Sequence, residues 1–261
     1  NRNTHYGLCE IYNLCAEKSR YDNLCFAHED IQFDTIGWGE KIISKLSETD
    51  CGVIGFAGTT ARISALCGIG LSRAHWRSNY IQHMNKGGMK SCFKNPDRVE
   101  FSPVVSVDGM CLFVSRKVWQ KVRFDEKTFP NFHLYDLDFT TAVFRAGCIN
   151  YICNTVIVEH FSEGYYTQEW LAATIDFNNK WRNALPLYVS GFPCIKNLDR
   201  YVRSREFRFI KAMMKSRGKC SWELIDGLCR QYYRKYPFYR SIVVWFHAYR
   251  YRKRWKREGR L

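Results

Sequence analysis

Residues 24–57 read LCFAHEDIQFDTIGWGEKIISKLSETDCGVIGFA and place a helical pattern between two short apolar runs. The runs at residues 24–27 and 51–57 have the length and the flanking polar or glycine residues of strands. Between them, residues 37–47 repeat apolar side chains at helical spacing. A strand, helix, strand order is typical of an α/β domain, so we predict a mostly parallel sheet flanked by helices.

The same alternation continues on both sides of this stretch. Further helices are predicted at residues 5–19, 116–121, 134–146 and 165–184, and further strands at 104–107, 110–114, 149–153 and 156–159. Residues 58–100 lack a clear period and are rich in Gly, Ser, Asn and basic residues. This composition predicts a long loop or lid.

Three acidic clusters follow apolar runs, at His28-Glu29-Asp30, Asp108-Gly109 and His133-Leu134-Tyr135-Asp136-Leu137-Asp138. In an open α/β sheet, ligands bind beyond the carboxyl ends of the strands. We therefore expect these clusters to converge on one pocket, although they lie far apart in the sequence.

The first cluster has the residue types of a metal site. His28 and Asp30 are two residues apart, so in extended backbone both side chains point the same way. Such a pair could hold Mg²⁺ or Mn²⁺ against substrate phosphates. His160, which follows the predicted strand at 156–159, is a further candidate ligand. The alternatives are a solvated acidic turn and a structural histidine.

The other two clusters suggest a substrate pocket with a base. Gly109 would let another backbone segment or a sugar ring approach closely, although an ordinary tight bend also explains it. Asp136 and Asp138 open a predicted helix, where capping and the helix dipole favour carboxylates. One could cap the helix while the other acts as a base, and a purely structural role for both stays open.

The net charge of +15 lies entirely at one end of the chain. Residues 196–261 hold 20 Lys and Arg but only 5 Asp and Glu. The change of composition predicts a boundary near residue 190, with a domain at 1–190 and a basic helical extension at 191–261.

The basic extension predicts an anionic partner. The apolar residues 242–246 run into six cations, which favours peripheral attachment to the inner face of the cell membrane. A solvated helical face is the alternative, and nucleic acid is not expected as a partner because no recognition motif is present. The twelve cysteines contain no Cys-x-x-Cys pair, which favours a reducing, cytoplasmic setting.

Taken in order, these motifs resemble family 2-type glycosyltransferases of the GT-A fold, in the bacterial glycosyltransferase-like branch. The resemblance covers about residues 5–185. The motifs that carry it are His28-x-Asp30, Val107-Asp108-Gly109, Asp125-Glu126 with Phe129, Phe132-His133-x-Tyr135-Asp136-x-Asp138-Phe139, Gly147 and His160-x-x-x-Gly164. His28 stands where the family has an acid, and Tyr135 replaces the usual acid before the base.

The resemblance implies an enzyme of polysaccharide biosynthesis that inverts the transferred sugar. Its donor would be a nucleotide-diphospho-sugar and its acceptor a glycan or a lipid-linked molecule. It implies Asp136 as catalytic base, a divalent metal (Mn²⁺ or Mg²⁺) on His28, Asp30 and His160, and substrate contacts from Asp108, Gly109, His133, Tyr135 and Asp138.

The start of the chain departs from the family pattern. Such enzymes begin with two or three strands that recognise the nucleotide, whereas this sequence opens at the helix before the metal-binding strand. We expect an N-terminally incomplete domain whose nucleotide-binding half lies upstream. A noncatalytic glycan-binding or scaffold remnant is the competing interpretation, and a nucleic-acid-binding protein is a less favoured one.

Overall fold

A computed structural model describes residues 5–69, 74–164, 166–215, 220–237 and 240–259. The helices among them are α1 (Leu8–Lys18), α2 (Trp38–Leu46), α3 (Arg116–Lys121), α4 (Tyr135–Arg145), α5 (Gln168–Trp181), α6 (Leu198–Lys215), α7 (Trp222–Lys235) and α8 (Arg240–Arg257). The strands are β1 (Asn23–Ala27), β2 (Ile31–Phe33), β3 (Cys51–Gly55), β4 (Ala57–Thr59), β5 (Ala61–Arg62), β6 (Trp76–His83), β7 (Met89–Lys94), β8 (Phe101–Val104), β9 (Ser106–Val107), β10 (Cys111–Ser115), β11 (Ile149–Cys153), β12 (Val158–His160) and β13 (Leu187–Tyr188). The predicted α/β class is confirmed. The start of the helix predicted from residue 165 lies outside the described residues.

The strands form two main sheets, which correct the predicted parallel arrangement. One has the order β1-β10-β3-β11-β8, the other β2-β12-β6-β4-β9 with β7 paired to β6, and β13 pairs with β5. Among the described strands, only β3 with β11 and β6 with β12 run parallel. β3 is buried along its whole length, which is the apolar signature of a parallel strand, yet β10 lies antiparallel beside it. Apolar runs thus identify strands without fixing their direction.

The predicted loop or lid at 58–100 instead has strand over nearly half of its described residues, and residues 70–73 of it lie outside the described part of the chain. It contains β4, β5, β6 and β7, and β6 and β7 form a hairpin from Ser78 paired with Lys94 to His83 paired with Met89. Gly87 and Gly88 turn the hairpin with positive φ angles. Most of β7 is exposed, so its polar residues hide the strand period in the sequence.

The chain divides into two compact units. The first comprises Asn1–Arg62, Gly68–Glu163 and Asn183–Cys194, and the second Ile63–Cys67, Gly164–Arg182 and Ile195–Leu261. Helix α5 therefore groups with the basic helices α6 to α8, whereas the sequence predicts a boundary near residue 190. In the described part of the chain, no helix has both the length and the apolarity of a membrane span.

Candidate active site

Three predicted metal ligands meet where β1, β2 and β12 come together. His28 follows β1, and Asp30 precedes β2. β12 pairs with β2 so that His160 lies opposite Ile31, and the Phe161 amide donates to the Asp30 carbonyl at 3.0 Å. Asp30 Oδ1 lies 3.9 Å from His28 Nδ1 and 3.6 Å from His160 Nε2. One ligand atom from each of the three side chains fits within 4.8 Å of the others.

Gln82 on β6 fixes the tautomer of His160. Its Nε2 donates to the backbone carbonyls of Ser162 at 2.8 Å and His160 at 3.2 Å, so its Oε1 is the atom that faces His160 Nδ1 at 3.1 Å. Nδ1 must then carry the hydrogen, which leaves a lone pair on Nε2. That Nε2 is buried without a hydrogen-bond partner. Burial also lowers the pKa of His160, which favours the neutral ring.

Tyr135 fixes His28 in the same way. The Tyr135 hydroxyl donates to the Gly109 carbonyl at 3.0 Å and lies 3.1 Å from His28 Nε2. Since that hydroxyl hydrogen is already used, Nε2 of His28 is the donor, and in the neutral ring its Nδ1 has the lone pair. Both neutral imidazoles then turn lone pairs toward the Asp30 carboxylate. Either a metal cation between them or a proton on one ring would offset this arrangement of electron pairs.

Asp136 lies in the first turn of α4, next to Tyr135. Its Oδ2 accepts a hydrogen bond from the Gly109 amide at 2.8 Å. Burial, together with the negative charge of Asp108, raises the pKa of Asp136 to about 7. Asp108 itself closes the turn by accepting from the Met110 amide at 3.2 Å. A half-buried carboxyl that titrates near neutrality can take a proton from a substrate.

Gly109 is required by the helix that carries Asp136. A Cβ at position 109 would lie 2.3 Å from the Tyr135 hydroxyl oxygen and 2.9 Å from the Asp136 Cβ. The group that approaches this glycine in the structure is therefore the start of α4. The turn and the helix are fitted to each other so that Tyr135 and Asp136 can both bond to the same residue.

The family assignment agrees with this geometry. A family model described as "Glycosyltransferase like family" matches residues 3–183. The chain belongs to this glycosyltransferase-like family. The match confirms the resemblance carried by the motifs between His28 and Gly164.

Two solved structures are similar to parts of this glycosyltransferase-like chain. One is "Crystal structure of GalNAc-T7 with UDP, GalNAc and Mn2+", at 10% identity and a TM-score of 0.45, with 77% of this chain and 41% of that chain covered. The other is "Crystal Structure of A197 from STIV", at 16% identity and a TM-score of 0.35, with 58% and 64% covered. The chain thus spans less than two thirds of either structure. A comparison with curated proteins gives no match.

The remaining predicted site residues of this glycosyltransferase-like protein lie at different depths. Asp138 is only 2% exposed within α4, and burial of this kind favours a structural role. Tyr135 is 4% exposed, and its hydroxyl is engaged by His28 and Gly109, so its contacts position the site. His133 is half-buried beside Phe132, with ring centroids 5.2 Å apart. Its substrate contact stays a prediction.

Two supporting residues were missed by sequence reasoning. Gln82 lies in the stretch predicted as a loop, so no pattern indicated it. Asn150 is fully buried in β11 and joins β3 to α4: its Nδ2 donates to the Thr140 carbonyl at 2.7 Å, and its Oδ1 accepts from the Val53 amide at 3.0 Å. An asparagine inside an apolar strand is itself a signal, because a buried amide must find partners.

Proposed function

We propose that this chain transfers a sugar from a nucleotide-diphospho-sugar to a hydroxyl group of a glycan or lipid-linked acceptor, with inversion at the anomeric carbon. One observation carries the proposal. The lone pairs of His28 and His160 converge on Asp30, and Tyr135 ties this group to the helix that presents Asp136. We infer that a cation site and a carboxyl with a raised pKa share one hydrogen-bonded frame.

The residues present fit a divalent ion held by His28, Asp30 and His160. Two imidazole nitrogens with one carboxylate favour a first-row transition ion such as Mn²⁺ over Mg²⁺, which prefers an all-oxygen shell. When bound, the ion would offset the negative charge of the donor diphosphate and of the leaving nucleoside diphosphate. Gln82 and Tyr135 would hold the two rings in the required tautomers.

Asp136 would act as the base. Its carboxylate takes the acceptor hydroxyl proton while the acceptor oxygen bonds to the anomeric carbon and the bond from that carbon to the diphosphate oxygen breaks. A pKa of about 7 keeps a large ionised fraction at neutral pH and makes the group basic enough to accept the proton. A carboxyl with such a pKa, held by the same residues as a candidate cation site, supports an enzyme over a noncatalytic glycan-binding remnant.

The test is release of nucleoside diphosphate from a panel of nucleotide sugars by the purified protein with Mn²⁺. We expect Asp136→Asn to lower the rate by about 10²–10⁴-fold, the usual contribution of a general base. The matched control is Asp50→Asn, because Asp50 is an exposed carboxylate just before β3. Full activity of Asp136→Asn would remove the base assignment, and no release from any donor would remove the transferase.

Anomeric configuration and metal use complete the test. Proton NMR of the fresh product should show inversion relative to the donor, and retention would exclude the single displacement described above. His160→Ala should abolish saturable Mn²⁺ binding measured by calorimetry. Unchanged binding in this variant would place the metal elsewhere.

A further inference from the structure

Helix α8 has two apolar faces, and the described residues of the chain cover only one of them. Val244, Ala248, Tyr251 and Trp255 recur at helical spacing and pack into the core of the second unit. Val244 is fully buried, Trp255 is 3% exposed, and the indole of Trp255 donates to the Met214 carbonyl at 3.2 Å. This inner face anchors α8 against the other helices of its own unit.

The opposite face of α8 carries large apolar side chains in the open. Ile242 is 64% exposed, Trp245 59%, Phe246 50% and Tyr249 47%. We call these four residues the outer stripe. The rings of Trp245 and Tyr249 stack with centroids 5.8 Å apart, so two members of the stripe contact each other along the helix. Four large apolar side chains exposed together on one helix face are typical of an interaction surface.

A basic cavity adjoins one side of this helix. It has a volume of about 700 Å³ between α6 and α8 and is lined by Lys211, Lys215, His247, Arg250, Arg254 and Arg257, with Tyr251 and Glu258. Glu258 is the one carboxylate in this lining, and it already pairs with Arg254 at 2.7 Å. The cavity therefore has a large excess of positive charge. Arginine forks and lysine ammonium groups in a concave site are suited to phosphate.

We infer that the second unit binds an anionic phospholipid surface, with a phosphate-bearing headgroup in the basic cavity and the outer stripe in the interfacial layer. Charge complementarity supports an anionic lipid surface as the partner, because residues 196–261 carry the whole net charge of +15. An exposed apolar stripe beside cations is the pattern of a helix that lies in a membrane interface. Ile242 favours lipid over nucleic acid, since an aliphatic side chain cannot stack on bases as aromatic rings do.

The test is sedimentation of the full chain with vesicles of phosphatidylcholine alone and of phosphatidylcholine mixed with phosphatidylglycerol. We expect binding only to the mixed vesicles. The cavity variant Lys215→Gln with Arg250→Gln should bind more weakly by about fivefold per removed cation. The control variant Arg252→Gln with Lys256→Gln removes the same charge outside the cavity and should lose less. All four side chains are exposed, so each variant should fold, which the melting temperature checks.

Further measurements separate the lipid surface from other partners. Trp245→Ser should reduce binding to the mixed vesicles, and no effect would overturn the role of the outer stripe. Equal losses in the cavity and control variants would overturn the headgroup site. Full competition by free glycerol phosphate would assign the cavity to a soluble phosphate, and tight binding of single-stranded RNA without vesicle binding would assign it to nucleic acid. None of these measurements depends on transferase activity.

Discussion

Replacing Asp136 by Asn should remove a large pH-dependent cost from the folded protein. The pKa of Asp136 rises from 3.8 to about 7 on folding, mainly through burial and then through the charge of Asp108. A rise of roughly three units corresponds to at most about 4 kcal/mol of unfolding free energy. The folded carboxyl holds its proton more tightly than the unfolded one, so this group destabilises the fold increasingly as pH rises.

The direction of the pH dependence decides at which pH values the unfolding free energy must be measured. Well below pH 3.8 the carboxyl is protonated in both states, and Asp136→Asn should match the wild type. Between pH 4 and pH 7 the wild type should lose stability relative to the variant, and above pH 7 the gap should be constant. Urea unfolding at a series of pH values, with a chelator present so that no metal contributes, measures the gap.

The carboxamide of Asn keeps an acceptor for the Gly109 amide, so the hydrogen bond at 2.8 Å can persist in Asp136→Asn. The control Asp50→Asn alters an exposed carboxylate and measures how far the same substitution at a surface position changes the curves. Parallel stability curves for the wild type and Asp136→Asn from pH 4 to pH 8 would refute the reasoning. The pKa assigned to the proposed base would then be wrong, whatever the activity of the variant.

Two further substitutions test residues that hold the site in place, namely Gly109 next to the start of α4 and Gln82 beside His160. Gly109→Ala places a Cβ 2.3 Å from the Tyr135 hydroxyl and should cost about 1–3 kcal/mol of unfolding free energy in urea melts. Gly39→Ala, where a Cβ meets nothing within 4 Å, should be neutral or stabilising, and similar costs for both would argue against the clash. Gln82→Leu should weaken Mn²⁺ binding by about 10–100-fold in calorimetry, because the His160 tautomer is no longer fixed. Unaltered affinity would show that Gln82 has no such role.

The sequence predicts that His28, Asp30 and His160 come together, and the structure confirms this clustering, because the three residues are marked by residue type and by position. His28, Asp30 and His160 each follow or precede an apolar run, and polar residues at such points collect at one edge of a sheet. The pairing of β12 with β2 then brings His160 beside Asp30. What the pattern does not contain is strand direction, which depends on partners far away in the sequence.

The supporting residues were harder to predict for a physical reason. Gln82 acts through backbone carbonyls of a neighbouring strand, and its own strand has a half-exposed, irregular burial pattern. The alternation of apolar and polar residues along a strand is visible in the sequence only where one face of the strand is buried and the other is exposed to solvent. Asn150 is the reverse case, because it interrupts an apolar run and its amide bonds across β3 and α4. A buried polar residue inside an apolar strand is thus easier to recognise in the sequence than a half-exposed polar residue such as Gln82.

His28 and Tyr135, the two departures from the pattern that the resemblance implies, contact each other. An acid at position 28 would need no acceptor for a ring N–H, whereas the imidazole does, and the Tyr135 hydroxyl lies 3.1 Å from its Nε2. Tyr135→Phe should therefore weaken Mn²⁺ binding strongly in the wild type and much less in the His28→Asp background. A double-mutant cycle by calorimetry should give a coupling of about 0.5–3 kcal/mol, the range for residues in one hydrogen-bond network. Additive losses would mean that Tyr135 supports only the Gly109 turn and that the pairing of the two departures has no energetic basis.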